Sequence, residues 1–140
     1  MGEGIAIQCV KSWNVEEIAD LYRAGGWWKE EYSPADLSRL IRGSFVFAVA
    51  VDRNSGRAVG MGRVISDGVS DGYIQDLVVL PPFRKQGTGA QIVSALVQKC
   101  RESGVLWLGL IAEPGTERFY TPFGFSRLEG YVPLLLQGDP

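Results

Sequence analysis

One stretch of the chain constrains the fold more than any other, because an apolar strand pattern runs through a basic loop into a helix. Tyr73–Leu80 is rich in β-forming residues, Pro81 and Pro82 end it, and Gly87 and Gly89 open a helical pattern. The first amides of a helix have no partner within it, and the helix dipole adds partial positive charge there. This order predicts an anion-binding turn in a domain that mixes strands and helices.

The residues around the two glycines narrow the kind of turn. Arg84 and Lys85 add positive charge before the glycines. A P-loop requires Lys followed by Ser or Thr after its last glycine, where this chain has Ala90 and Gln91. A dinucleotide-binding turn requires a third glycine where Ile92 stands. A phosphate cradle of another kind and a plain helix start both remain open at this point.

The other patterns predict a single domain spanning residues 1–140, of class α/β (α+β). The order is β-α-α-β-β-β-α-β-α-β, and no repeat or linker interrupts it. Strands are predicted at Ile5–Val10, Phe45–Val51, Ala58–Ile65, Tyr73–Leu80 and Val105–Ile111, with a final strand pair in Phe125–Leu136; helices are predicted after Asn14, after Ser33, over Thr88–Arg101 and over Gly115–Tyr120.

Composition excludes several classes of function. The chain has no His, so histidine bases, Ser-His-Asp triads and the usual zinc ligand sets are excluded. Its 14 basic and 16 acidic residues nearly cancel, which argues against nucleic acid as a partner. Neither a signal peptide nor an apolar run of membrane length is visible. We therefore expect a cytoplasmic protein without a metal or a membrane partner.

Two motifs give the chain a resemblance to a known family. Val79-Leu-Pro81 followed by Arg84-x-x-Gly87-x-Gly89-Ala90 resembles the signature of the GNAT superfamily of acyl-CoA-dependent N-acyltransferases. Glu117–Phe125 resembles the second motif of that family, a Tyr followed shortly by Gly-Phe. The two motifs occur in the family's order, separated by a helix and a strand.

The resemblance implies the GNAT fold and acetyl-CoA as cosubstrate. The fold is a mixed, mostly antiparallel sheet of about six to seven strands, splayed between strands 4 and 5 and flanked by about four helices. Backbone groups of strand 4 would bond to the pantetheine arm, and loop amides would hold the pyrophosphate. The expected coenzyme A site comprises Leu77, Val78, Val79, Arg84, Lys85, Gln86, Gly87, Thr88, Gly89, Ala90 and Tyr120.

The resemblance also assigns chemical roles. Tyr120 would protonate the departing thiolate or hydrogen-bond to it, although a Tyr that merely packs beside Phe125 is the structural alternative. The backbone amide of Val79 would stabilise the oxyanion. Neither a metal nor a covalent enzyme intermediate is required.

The general base is the open question of this sequence. Inward positions of the fourth strand are Tyr73 and Gln75, which are poor bases near neutral pH. Asp76 is the nearest carboxylate, and Arg63–Asp67 and Ile74–Asp76 resemble plant-type aromatic-amine acetyltransferases, which have an Asp at this place. Strand alternation would turn Asp76 away from Tyr73 and Gln75, unless a bulge re-aims it. The rival is a water chain that ends at Asp67, at Glu113 or in bulk solvent.

The acceptor pocket is expected to draw on the N-terminal helices. Trp27 and Trp28 would form an aromatic wall for a cationic amine, or else belong to the core. The candidate acceptor residues are Trp27, Trp28, Asp67, Tyr73 and Gln75.

The resulting hypothesis is an N-acetyltransferase that transfers acetyl from acetyl-CoA to a primary amine, with a small amine favoured, by direct attack in a ternary complex. Two alternatives stay open. One is a catalytically weak, coenzyme A-binding regulatory module, and the other is an N-acetyltransferase of proteins or peptides. The resemblance also allows a homodimer.

Overall fold

The computed structural model describes residues 4–138, so residues 1–3 and 139–140, at the ends of the predicted domain, lie outside it. The described chain falls into two compact units, one up to Leu110 and one from Ile111 onward. The first unit carries the sheet with three of the α-helices, and the second carries one short helix.

The sheet of the first unit has five strands, whose order in space follows their order in the chain. Neighbouring strands are antiparallel except the last two, which are parallel. The mixed, mostly antiparallel sheet expected from the sequence is therefore confirmed. The strands are β1 (Ile5–Cys9), β2 (Val46–Asp52), β3 (Ala58–Ser66), β4 (Asp71–Val79) and β5 (Trp107–Leu110).

Helices cover both faces of this sheet. On one face, α1 (Val15–Ala24) packs against β3 and β4, with α2 (Leu37–Gly43) beside it. The side chain of Asn14 caps α1 by accepting the amide of Glu17 at 3.0 Å. On the other face, α3 (Thr88–Glu102) packs against β2, β3 and β4.

The approach of α3 to the sheet depends on glycines in β3. A Cβ at Gly62 would lie 2.9 Å from Cγ2 of Ile92, and one at Gly60 would lie 3.1 Å from its Cδ1. Ile92 and Leu96 are fully buried there. Met61, between the two glycines, points to the opposite face, into the cluster formed with α1 and α2.

The second unit is built around α4 (Glu117–Tyr120), and a 3₁₀ turn over Thr121–Phe123 follows it. The ring of Tyr120 lies edge-on to Phe119 and Phe125, with centroid distances of 5.0 and 6.0 Å. Arg127 donates Nε and Nη2 to the two carboxylate oxygens of Glu117, both at 2.7 Å. This bidentate pair lowers the pKa of Glu117.

The predicted strand pair in Phe125–Leu136 is wrong for the described chain, and so is the count of six to seven strands. That segment contains no strand, and Leu134 and Leu136 are 91% and 85% exposed. The segment is apolar as a strand would be, but a strand forms only when its backbone groups bond to a neighbouring strand. The fold class and the four α-helices are confirmed.

None of the helices within residues 4–138 is long and apolar enough to cross a bilayer. In the same part of the chain, no group of three or more metal-ligating side chains gathers to hold an ion.

Candidate active site

The loop between β4 and α3 combines two residues of positive φ with the unbonded first amides of a helix. Lys85 and Gly87 both adopt positive φ, at 62° and 84°. The first helical bond of α3 runs from the amide of Gln91 to the carbonyl of Gly87 at 3.0 Å. The amides of Thr88, Gly89 and Ala90 therefore have no acceptor within the helix. Alternating backbone handedness before a helix start is a geometry that binds anions.

Two side chains hold this loop in shape. Arg84 donates Nε to the carbonyl of Val79 at 2.7 Å, which ties the loop to the end of β4. Gln86 donates Nε2 to the carbonyl of Pro82 at 3.3 Å. Arg84 thus acts on the backbone and is not only a source of charge.

The first helical turn holds a buried hydroxyl. Thr88 is 2% exposed, and its Oγ1 has no hydrogen-bond partner in the part of the chain that the structure describes. Thr88 faces inward, whereas a Cβ added at Gly87, which has positive φ, would meet no atom within 4 Å.

The second half of β4 has an open edge on the side of β5. The two strands pair only from Asp71 opposite Trp107 to Ile74 opposite Leu110. Within residues 4–138, the stretch from Gln75 to Val79 has no strand beside it on that edge. Its outward backbone groups, including those of Leu77 and the amide of Val79, are available to an extended ligand that adds like another strand, whereas the carbonyl of Val79 already accepts Arg84. The pairing stops where β5 itself ends at Leu110, so the splay between strands 4 and 5 that the resemblance implied stays a prediction.

A bulge in β4 changes the direction in which the side chain of Asp76 points. Met61 pairs with Val78 and Arg63 pairs with Gln75, so two residues of β4 face one residue of β3. Asp76 adopts φ 62°, a conformation that Asp tolerates better than most residues. Simple alternation therefore fails here, and the side chain of Asp76 lies on the same face as that of Gln75.

The carboxylate of Asp76 is held by two donors from other elements. Tyr22 of α1 donates its hydroxyl to Oδ2 at 2.7 Å, and Arg63 of β3 donates Nε to the same oxygen at 2.7 Å. The side chains of Arg63 and Asp76 are 15% and 19% exposed. No donor from residues 4–138 bonds to Oδ1, which leaves that oxygen for a ligand.

The same surroundings keep the hydroxyl of Tyr22 protonated. Burial of the phenol and the nearby Asp76 carboxylate raise the pKa of Tyr22 well above its usual range. Tyr22 is therefore a permanent hydrogen-bond donor to Asp76 at any physiological pH. We name Tyr22, Arg63 and Asp76 the carboxylate network.

The other polar candidates of this region have separate surroundings. Gln75 accepts Nη2 of Arg63 through Oε1 at 3.4 Å, so it borders the carboxylate network. Tyr73 is half-buried and lies opposite Ile65. Asp67 accepts the amides of Val69 and Ser70 at 2.8 and 3.1 Å, and these bonds lower its pKa. Asp67 thus stabilises the β3–β4 turn.

The two adjacent tryptophans differ in their contacts. Trp27 packs edge-on against Tyr22 with a centroid distance of 6.2 Å and borders the core. Trp28 packs against Tyr32 at 5.5 Å, and the guanidinium of Arg23 lies 5.2 Å from the centroid of Trp28. Trp27 therefore adjoins the carboxylate network through Tyr22, whereas Trp28 already has a cation over its ring.

Tyr120 belongs to the second unit. It is half-buried among Phe119 and Phe125, and this burial, with the charge of Glu113, raises the pKa of Tyr120. A phenol that stays protonated is suited to donate a proton or a hydrogen bond.

Sequence reasoning missed Tyr22 and Arg63 as members of the site. Tyr22 lies among the buried, mostly apolar residues of α1, so its position alone indicates only packing. The available signal was chemical, because a buried Tyr hydroxyl needs a partner. Arg63 lay inside a segment noted for its resemblance, but its pairing with Asp76 depends on the β3–β4 register.

An open strand edge that continues into a turn of bare amides is suited to a long ligand with an amide-rich arm and a diphosphate. The protein class defined by this fold and site is an acyl-CoA-dependent acyltransferase. The chain belongs to the acetyltransferase (GNAT) family, whose model matches residues 12–125. Members of this family use acetyl-CoA as cosubstrate, and the chain is accordingly an acetyltransferase.

Related sequences agree with this membership. The chain is 27% identical to ycf52 of Porphyra purpurea, an uncharacterized N-acetyltransferase. The match extends over 117 residues, which are 84% of this chain and 67% of that protein. It is 35% identical over 112 residues to a chloroplastic GCN5-related N-acetyltransferase of Arabidopsis thaliana, covering 80% and 56%. It is 36% identical over 73 residues to a chloroplastic serotonin N-acetyltransferase of Oryza sativa subsp. japonica, covering 52% and 36%.

Solved structures agree with the fold. A GNAT family acetyltransferase from Streptococcus pneumoniae TIGR4 superposes with a TM-score of 0.80 at 26% identity, covering 97% of this chain and 99% of that one. The structure of AAC(6')-Iy with a bisubstrate analog that contains CoA superposes with a TM-score of 0.72 at 16% identity, covering 96% and 99%.

Proposed function

We propose that the chain N-acetylates a small primary amine, of the aryl-alkyl class, by direct attack in a ternary complex with acetyl-CoA. The observation that carries this proposal is the carboxylate of Asp76, which Tyr22 and Arg63 hold through Oδ2 and whose Oδ1 accepts no bond from residues 4–138. Asp76 also lies on β4, close to the part of that strand that has no neighbour on the side of β5. An ammonium group needs an anionic partner, and the half-buried Asp76 offers one. The rice relative that is named for serotonin supports the aryl-alkyl class.

The aromatic part of such an acceptor has a candidate wall. Trp27 packs against Tyr22, and Tyr22 touches Asp76, so ring surface and carboxylate are contiguous. Trp28 is the weaker candidate, since Arg23 occupies one of its faces. We expect Trp27, Gln75 and Tyr73 to contribute to acceptor binding, and Asp67 to act through its turn.

The proposed reaction assigns each proton a destination. Asp76 takes a proton from the acceptor ammonium, directly or through one water. The freed amine attacks the thioester carbonyl, and the amide of Val79 donates to the oxyanion. The C–S bond then breaks, and Tyr120 donates its proton to the leaving thiolate sulfur. The attacking nitrogen still carries two hydrogens, and it loses one of them through water to the Tyr120 phenolate, while Asp76 releases its own proton to solvent. The amides from Gln86 to Ala90 hold the pyrophosphate, while Leu77 and Val78 border the pantetheine arm beside Arg84 and Lys85.

One observation favours a second candidate function, a coenzyme A-binding module with weak or no catalysis. Arg63 already balances the charge of Asp76 through a 2.7 Å bond. In this alternative, the carboxylate network stabilises the bulge and accepts no proton. Acetyl-CoA would bind without transfer to any amine.

An acceptor screen tests the proposal. CoA thiol release is measured with aryl-alkyl amines, polyamines, amino acids and short peptides. We expect saturable release with an aryl-alkyl amine and a loss of roughly 10²–10⁴-fold in kcat for Tyr120→Phe. Tyr32→Phe, at an exposed position in the first unit, is the matched control.

Each other outcome points elsewhere. Release with peptides alone indicates a protein acceptor. Calorimetric binding of acetyl-CoA without release in any arm supports the binding module. Unchanged turnover in Tyr120→Phe removes Tyr120 from the mechanism.

Three further expectations from the sequence belong to this proposal. We infer one domain across the chain, a cytoplasmic location, and no nucleic acid or membrane partner. The near balance of charge argues against a nucleic acid partner, and the absence of a long apolar run argues against a membrane partner. A homodimer is also expected.

A further inference from the structure

The unit that carries Tyr120 has no core of its own. Within residues 111–138 no residue is buried, and α4 is only four residues long. A helix this short is not stable by itself, because its first turn fixes several dihedral angles for very few hydrogen bonds. The direction of the Tyr120 side chain therefore depends on contacts at the surface of this unit.

Aromatic rings supply some of these contacts. The ring of Tyr120 lies edge-on to Phe119 within α4 and to Phe125 beyond the 3₁₀ turn. Phe119 also packs against Phe123, with a centroid distance of 5.9 Å, but it is 38% exposed. Rings that face water on one side are less closely confined than rings in a close-packed core. Ring packing alone therefore leaves Tyr120 room to turn.

One ion pair ties together the two ends of the segment that contains Tyr120. Arg127 donates Nε and Nη2 to Oε2 and Oε1 of Glu117, both at 2.7 Å, across ten positions of the chain. Phe125 lies within the same segment. The other hydrogen bonds within residues 111–138 join residues three or four positions apart. We name the pair of Glu117 and Arg127 the clasp.

The geometry of the clasp is better than that of most surface ion pairs. Exposed pairs usually contribute little, because water and salt screen them and both side chains lose freedom. Two parallel bonds from one guanidinium to both oxygens of one carboxylate are stronger. These bonds and the positive charge of Arg127 lower the pKa of Glu117, so its carboxylate is ionised at neutral pH and above. The clasp is therefore closed under the conditions in which an amine is acetylated.

We propose that the clasp positions Tyr120, so that breaking it slows the chemical step and leaves the binding of acetyl-CoA unchanged. This role rests on the proposed function, in which the hydroxyl of Tyr120 donates its proton to the leaving thiolate. Glu117 lies three positions before Tyr120, and Arg127 lies two positions after Phe125, whose ring borders that of Tyr120. Closing the clasp removes conformational freedom from the segment between its ends. A displacement of about 1 Å in a reacting geometry can lower a rate by roughly a hundredfold.

Kinetics of Arg127→Gln separate positioning from binding. With the best amine of the acceptor screen, we expect kcat to fall roughly tenfold while the KM for the amine and the calorimetric binding of acetyl-CoA stay unchanged. Arg39→Gln is the matched control, since Arg39 forms an exposed ion pair with Asp36 at 3.4 Å in the first unit. The reversed pair Glu117→Arg/Arg127→Glu is expected to recover most of kcat, because it keeps opposite charges at the same two places. Thermal unfolding checks that each variant is folded.

A double-mutant cycle tests whether the clasp acts through Tyr120. In the Tyr120→Phe background, Arg127→Gln is expected to change kcat by less than roughly twofold, because the hydroxyl that the clasp positions is already gone. A clasp that only stabilised the second unit would lower kcat by the same factor in both backgrounds.

Wild-type kcat in Arg127→Gln overturns the proposal. An equal loss in the Tyr120→Phe background does the same, because the clasp then acts elsewhere, and so does a reversed pair as slow as Arg127→Gln. Failure of the proposed function is a different result. In that case Tyr120→Phe alone keeps wild-type turnover, and Tyr120 has no step for the clasp to support.

Discussion

The β4–α3 loop and the carboxylate network both adjoin β4, but one is made of backbone and the other of side chains. The loop after β4 is built from backbone amides, with Gly87 keeping the surface bare. The network at Asp76 is built from side chains of α1, β3 and β4. A backbone site depends on conformation, whereas a side-chain site depends on individual atoms. Substitutions should therefore affect the two regions in different ways.

This comparison predicts its largest effect at Asp76. Asp76→Asn removes the proposed proton acceptor and leaves the half-buried Arg63 without its carboxylate. We expect kcat/KM to fall by roughly 10²–10⁴-fold and the free energy of unfolding to fall by about 1–3 kcal/mol. Calorimetry should find acetyl-CoA binding unchanged, because the loop is untouched.

Asp71→Asn is the control for this change, since Asp71 is exposed and accepts a bond from the hydroxyl of Ser70 at 2.9 Å. Equal activity of Asp76→Asn and the wild type would eliminate Asp76 as the base. A water chain that ends at Asp67 or Glu113 would then take its place.

Tyr22→Phe sharpens the comparison with a smaller change. The ring stays, with its contact to Trp27, but the bond to Oδ2 of Asp76 is lost. We expect kcat/KM for an aryl-alkyl amine to fall roughly tenfold, the scale of one hydrogen bond to a charged group. Steady-state kinetics beside Tyr32→Phe measures this. A network that serves only stability would lower the melting temperature of Tyr22→Phe and leave its kinetics unchanged.

The smallest expected effect concerns pH. Tyr120 donates only while protonated, and because burial and Glu113 raise its pKa, the phenol stays protonated through the range in which a free Tyr begins to ionise. The ratio of wild-type to Tyr120→Phe kcat should therefore stay constant up to roughly pH 10, where a free Tyr would be about half ionised. A ratio that falls to about half its neutral value by that pH would show that the pKa of Tyr120 is not raised.

The sequence predicted the loop better than the network for a physical reason. The strand, the turn and the start of α3 are local, so Pro81, Gly87 and the apolar stripe of the helix indicate them within two residues. The orientation of Asp76 depends on a bulge set by pairing with β3, and its partner Tyr22 is 54 positions away. Strand alternation within β4 alone leaves Asp76 on the wrong face.

In the C-terminal segment, by contrast, the sequence predicts a strand pair that the structure lacks over residues 4–138. Val132–Leu136 has strand composition, and the sequence predicts a strand pair there, yet the described chain has none. β-propensity is a property of one segment, whereas a β-strand forms only when two segments pair. Composition alone does not specify the partner strand.

The central claim is that backbone amides after Arg84 hold the diphosphate of coenzyme A, and titration calorimetry tests it most directly. Gly87→Val places a side chain at φ 84° on the loop surface, and Gly56→Val places the same side chain at φ 75° in the exposed β2–β3 turn, with equally open surroundings. We predict that CoA binds the wild type and Gly56→Val alike, and Gly87→Val at least roughly tenfold more weakly. Equal binding to all three proteins would contradict the account, as would a wild type that does not bind CoA.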